Sequence, residues 1–176
     1  MLIAIIAIIL VCLSIAGMRT VALKAPAKVS YDPKITLEEV KTAEEKLGAM
    51  IRIPTVSKHE HEDLSQFYLY QEELERQFPL IHKHLQKTVL NGTLLYLWKG
   101  SDPTLLPILF MGHQDVVPAT DEGWSVPAYS GAVKDGCLYG RGTLDCKGTM
   151  YVEMQAVEEL LAEGFTPKCD VYLEYS

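Results

Sequence analysis

Hydrophobic and polar positions change rhythm several times along this chain, and each rhythm predicts an element. Residues 2–16 form an almost unbroken apolar run. Downstream, residues 19–35 are short-range polar with Pro26 and Pro33 and no period, which reads as a linker. Thr36 with Glu39 three positions on is a capping-box pattern, and Leu37, Val40, Leu47 and Met50 or Ile51 follow at helical spacing until Ile53-Pro54. A second helix is predicted from Asp63 as cap, with Leu64, Phe67, Gln71, Leu74 and Phe78 on one stripe before Pro79.

Residues 85–90 and 93–98 read as strands, joined by Asn91-Gly92, the strongest short hairpin signal because both turn positions need positive φ. Residues 107–111 are apolar at every position, the pattern of a strand buried on both faces. Residues 148–162 read as a helix with Met150, Met154, Val157 and Leu161 inward, and residues 170–175 as a further strand. A helix between strands predicts an α/β fold: a mostly parallel central sheet flanked by helices, plus a β-hairpin. Ligands in such folds sit at the carboxyl ends of strands.

Composition sharpens this picture at the N-terminus. Met1 to Met18 carry no charge, with Ser14 and Gly17 as the non-apolar positions. Residues 2–16 fall short of the roughly 20 residues of a bilayer crossing and fit the apolar core of a secretory signal, with Ser14 and Ala16 as small residues before a cleavage point at Gly17. The competing reading is an uncleaved anchor over residues 2–18, for which Arg19, Lys24 and Lys28 favour a cytoplasmic downstream side. The domain is expected to be secreted or lumenal, or else membrane-anchored. Asn91, the single asparagine, stands in the glycosylation acceptor sequence Asn91-Gly92-Thr93.

Charge excludes one partner class: 16 Lys and Arg against 23 Asp and Glu leave a net charge of −7, without the basic surface that nucleic acid requires. Cys12, Cys137, Cys146 and Cys169 show no CxxC spacing, so neither a disulfide framework nor a thiolate zinc site is indicated.

Candidate chemistry gathers in two places. At the end of the apolar strand lies Gly112-His113-Gln114-Asp115, where residues two apart on extended backbone point to one side. His113 could bind a metal while Asp115 holds its other ring nitrogen; the bland reading is a surface histidine beside a turn carboxylate. The second place is Tyr139-Gly140-Arg141-Gly142-Thr143-Leu144-Asp145-Cys146-Lys147-Gly148. Asp145 there is either a helix N-cap or a carboxylate able to bridge two cations. Arg141 and Lys147 are structural partners or substrate-facing cations, and Cys146 lies near a site without acting in it. His59 and His61, His82 and His84, and Glu158-Glu159 read as solvated surface.

Together, Ile51-Arg52-Ile53-Pro54-Thr55-Val56-Ser57 and residues 107–118, 124–131 and 138–148 resemble, in order and spacing, the N-terminal part of the catalytic domain of the co-catalytic zinc metallopeptidases that include aminoacylase, carnosinase and glutamate carboxypeptidase. The wording most resembles the branch of carboxypeptidase S and the N-fatty-acyl-amino-acid synthase/hydrolase. The resemblance implies a site with two zinc ions, His113 ligating one, Asp115 orienting His113 and Asp145 bridging both. It implies hydrolysis of an amide next to a free carboxylate, in an N-acyl amino acid or short peptide, with a glutamate as general base.

That glutamate belongs to a Glu-Glu pair that the family places just after the strand ending near Tyr175-Ser176. Neither it, the later ligands, nor the lid domain through which many members dimerise lies within these 176 residues. Glu174 precedes the expected position and alternates within the strand pattern. Ala128-Tyr129 replaces the family's usual Pro-Phe, a change in a wall rather than a ligand. Residues 36–176 are therefore expected to be part of a metallopeptidase domain, with a non-catalytic, partner-binding product as the alternative.

Overall fold

The computed structural model describes residues 2–23, 36–57 and 63–176. The pair His59 and His61 lies outside the described residues. The chain divides into two units, Met1–Lys34 and Ile35–Ser176. In the first, helix α1 runs over Leu2–Ala22. Residues 19–22 are thus helical rather than linker, and Ala4–Ala22, with mean hydropathy 2.3, is long and apolar enough to cross a membrane.

In the second unit α2 spans Leu37–Ile51 and opens with the capping box read from sequence: the Thr36 hydroxyl accepts from Glu39 N–H, and the Glu39 carboxylate accepts from Thr36 N–H at 2.6 Å. Helix α3 covers Ser65–Gln77, and Asp63 Oδ1 accepts from Ser65 N–H at 2.9 Å. Pro79 does not end helical structure; it begins a six-residue helix, α4 (Pro79–His84), because the first position of a helix has no use for its missing N–H. His82 and His84 therefore sit on a helix and not at a strand start.

Strands β1 (Gln86–Leu90) and β2 (Thr93–Trp98) form the expected hairpin, with Asn91 at φ 50° and Gly92 at φ 90°. Strand β3 covers Ile108–Gly112, β4 Ala132–Lys134, β5 Cys137–Tyr139, helix α5 Lys147–Ala162 and β6 Val171–Tyr175. The small β4–β5 ribbon turns on Asp135 and Gly136, both at positive φ, an Asp-Gly hairpin signal that sequence reading passed over.

The main sheet has the order β1-β2-β6-β3. It is mixed rather than mostly parallel: β3 and β6 run parallel, whereas β2 pairs antiparallel with both β1 and β6. The hairpin is the reason, since it docks through β2 onto β6 instead of standing apart. Tyr70, Leu74, Ile81, Leu94, Tyr96, Met150, Met154, Leu173 and Tyr175 form the core, so α5 buries the face its spacing predicted. Burial of β3 on both faces is not found. Among the described residues it is an edge strand, with β6 along one side, and Ile108, Leu109, Phe110 and Met111 are all exposed.

Candidate metal centre

Parallel pairing of β3 with β6 delivers His113 to the carboxyl end of the sheet. Gln114 N–H donates to Ser176 O at 2.8 Å, continuing the pairing past Gly112. A second strap comes from the Ile53-Pro54-Thr55-Val56 segment: Val116 N–H donates to Thr55 O at 2.8 Å, Val56 and Val116 form a parallel bridge, and the buried Thr55 hydroxyl donates to Gln114 O. Gln114 turns inward and is fully buried, donating from Nε2 to Gly92 O at 2.6 Å and to Tyr175 O at 3.2 Å. With Gln114 pointing in, its neighbours His113 and Asp115 share the outer side.

His113 is held at both ring nitrogens. Nδ1 lies 2.8 Å from Asp115 Oδ1 and 3.1 Å from Asp115 O, and Nε2 lies 2.8 Å from Asp145 Oδ1. Partial burial pulls its pKa down, but bonds to Asp145 and Asp115 outweigh burial, and the net shift is upward. His113 and Asp115 are half-buried, with side chains 38% and 39% exposed, while the Asp145 side chain is 89% exposed.

Asp145 does not cap α5. The cap position falls on Cys146, whose side chain makes no capping bond. That removes the bland reading of Asp145 and leaves its carboxylate beside the imidazole. Three potential donors, His113, Asp145 and Cys146, lie within 4.8 Å of one another. Cys146 Sγ also clamps the histidine backbone, accepting from His113 N–H at 3.0 Å and donating to His113 O at 3.3 Å. Its adjacency to Asp145 was the sole sequence signal for this.

Lys147 resolves the question of structural or substrate-facing cation. It is 1% exposed, and its Nζ donates to Met50 O at 3.1 Å and Ile53 O at 2.7 Å while lying 4.4 Å from the centre of the Tyr70 ring. Burial pushes its pKa down to about 7. Lys147 thus ties the start of α5 to the end of α2 and to Ile53, where the segment that straps Gln114 begins. Arg141 is half-buried against Trp124, 5.5 Å from its ring centre. His82 is no solvated residue: Nδ1 lies 2.8 Å from Phe78 O and Nε2 2.9 Å from the Tyr96 hydroxyl. His84 is exposed, as expected, and Glu158 accepts from the N–H groups of Leu80 and Ile81 at 2.9 Å. Thr55 and Gln114 went unread as site-building residues because their partners are remote in sequence.

An imidazole braced by one carboxylate and facing a second, exposed one is a donor set suited to a divalent cation. Residues 109–174 match the profile of Peptidase family M20/M25/M40. This stretch is similar to the M20-type peptidases, the class that the motifs resemble. Among individual relatives, Carboxypeptidase S of Saccharomyces cerevisiae is 41% identical over 136 residues, covering 70% of this chain and 24% of that protein. The N-fatty-acyl-amino acid synthase/hydrolase of Mus musculus is 35% identical over 156 residues, 86% of this chain and 30% of that protein. The chain thus spans roughly a quarter to a third of the length of the relatives it matches. Two solved structures share the fold: human carnosine dipeptidase 1 (TM-score 0.58, 24% identity, 82% of this chain and 35% of that one) and an M20 family metallo-carboxypeptidase from Sulfolobus solfataricus (TM-score 0.59, 20% identity, 76% and 30%).

Proposed function

We propose that this chain supplies part of the site of a zinc-dependent hydrolase, a carboxypeptidase or N-acyl-amino-acid amidohydrolase that cleaves an amide next to a free carboxylate. His113 and Asp145 are the metal ligands and Asp115 fixes the tautomer and orientation of His113. The observation that carries the reading is the meeting of His113 Nε2 and Asp145 Oδ1 at 2.8 Å across 32 residues, with the other ring nitrogen already tied to Asp115. These are two donor atoms that a divalent cation would take in place of the shared proton. The fit is chemical as well: the Asp145 carboxylate is exposed and free of capping duty.

Bound zinc would supply Lewis-acid polarisation of the scissile carbonyl and an acidified water. The chain's own residues hold the geometry. Asp115 keeps the Nδ1 proton, Cys146 fixes the His113 backbone, and Lys147 anchors the start of α5. The general base and the remaining ligands of a two-zinc site are assigned to none of the residues described above, so His113, Asp115 and Asp145 alone are expected to bind metal without turnover. Helix α1 delivers the domain to the secretory lumen or the exterior.

Zinc binding to the 176-residue chain, measured by equilibrium dialysis, tests the assignment. Asp145→Ala and His113→Ala should abolish saturable binding, and Asp115→Asn should weaken it by about 10–100-fold. Equal zinc uptake by wild type and Asp145→Ala overturns the ligand assignment. Hydrolysis of an N-acyl amino acid by the isolated chain overturns the division of labour.

A further inference from the structure

The acceptor sequence Asn91-Gly92-Thr93 contributes no side chain to the proposed metal ligands, and the fold presents it in a particular way. We infer that Asn91 is an N-glycosylation site, carried at the tip of the β1–β2 hairpin in the secretory lumen; this rests on the lumenal delivery proposed for α1. A glycan is bulky and solvated, so it persists at an asparagine that the folded chain leaves open. Asn91 is exposed, whereas the next residue, Gly92, is buried.

The contrast has a cause in the turn. With Asn91 at φ 50° and Gly92 at φ 90°, the two-residue connection reverses the chain tightly. Gly92 O is gripped from beneath by two buried amides, Gln71 Nε2 at 2.7 Å and Gln114 Nε2 at 2.6 Å. Those bonds hold Gly92 against the protein, while Asn91 stays exposed at the tip. Neither glutamine is hydrogen-bonded to Asn91, so a sugar on its exposed side chain leaves both bonds to Gly92 O in place.

Topology supplies the second support. Residue 91 lies far past Ala22, the end of α1, so either a cleaved signal or an anchor that passes its downstream side across the membrane exposes the sequence to the lumenal machinery. Arg19, Lys24 and Lys28 act in the opposite sense, and the experiment must read topology as well as sugar.

The full chain with its own leader is translated in the presence of endoplasmic-reticulum vesicles, then divided between protease protection and endoglycosidase digestion. The expected result is a protected domain with one mobility step that the endoglycosidase removes and that Asn91→Gln and Thr93→Ala both lack. A protected but unshifted domain overturns the glycosylation site and leaves lumenal delivery intact. An unprotected, unshifted domain overturns lumenal delivery and the site with it. A step that survives in Asn91→Gln overturns the assignment to this residue.

Discussion

Thr55 offers the sharpest test of how the candidate site is held. It is fully buried, and its hydroxyl is the donor that the Gln114 carbonyl has among the described residues. Thr55→Val keeps the shape and deletes that donor, leaving a buried carbonyl unsatisfied at about 1–3 kcal/mol. Thr55→Ser keeps the donor and loses one methyl, about 0.8 kcal/mol. Valine is the more apolar replacement, so a core governed by hydrophobicity alone would rank the variants the other way. With a urea m-value of about 2 kcal/mol/M for a small domain, the valine variant should lower the unfolding midpoint by about 1 M and the serine variant by about half that or less. Urea titration followed by circular dichroism reads both. A valine variant as stable as wild type, or a serine variant less stable than the valine one, refutes the idea that this hydroxyl secures the backbone between His113 and Asp115.

Other outcomes follow from geometry already described. Burial holds the His82 pKa below its ordinary 6.5, and the neutral ring donates from Nδ1 to Phe78 O while Nε2 accepts from Tyr96. The unfolded chain then binds the proton more readily, so His82 contributes stability above about pH 6.5 that is lost as pH falls through its folded pKa. Unfolding midpoints should drop between pH 7 and 5.5 in wild type, and the drop should shrink in His82→Gln; equal slopes would contradict this. Gly131 has φ 56°, and a Cβ there would come within 2.5 Å of Gly48 O on α2, whereas at Gly136, φ 73°, a Cβ would meet open space. Gly131→Ala should therefore combine about 1–2 kcal/mol of left-handed strain with about 1–3 kcal/mol of overpacking, and Gly136→Ala only the former. Thermal melts that rank the two variants equally would show that α2 yields freely.

Local signals were legible in the sequence and remote ones were not. The Thr36–Glu39 capping box and the Asn91-Gly92 turn were readable because each satisfies its own backbone within four residues. Helix α5 was readable because one face repeats apolar residues. His113, Asp115 and Asp145 could be singled out from residue type and motif, and the fold brings them together. Edge position cannot be read from an apolar run, so β3 looked like a central strand. Carbonyl acceptors carry no sequence signal at all, which is why Lys147 was readable as a charge but not as the clip between α5 and α2.

The sheet order also bears on the sequence of events during folding. The β1–β2 hairpin closes locally, on a timescale of about 1–10 μs. Strand β6 lies between β2 and β3, so among the described residues β3 has no strand neighbour until a segment more than sixty residues later arrives, with Ile108 paired to Val171. Closing so long a loop is entropically unfavourable before any contact rewards it, and parallel pairings of this kind form slowly. His113 therefore reaches its final position late, after the hairpin whose turn receives Gln114 is already standing.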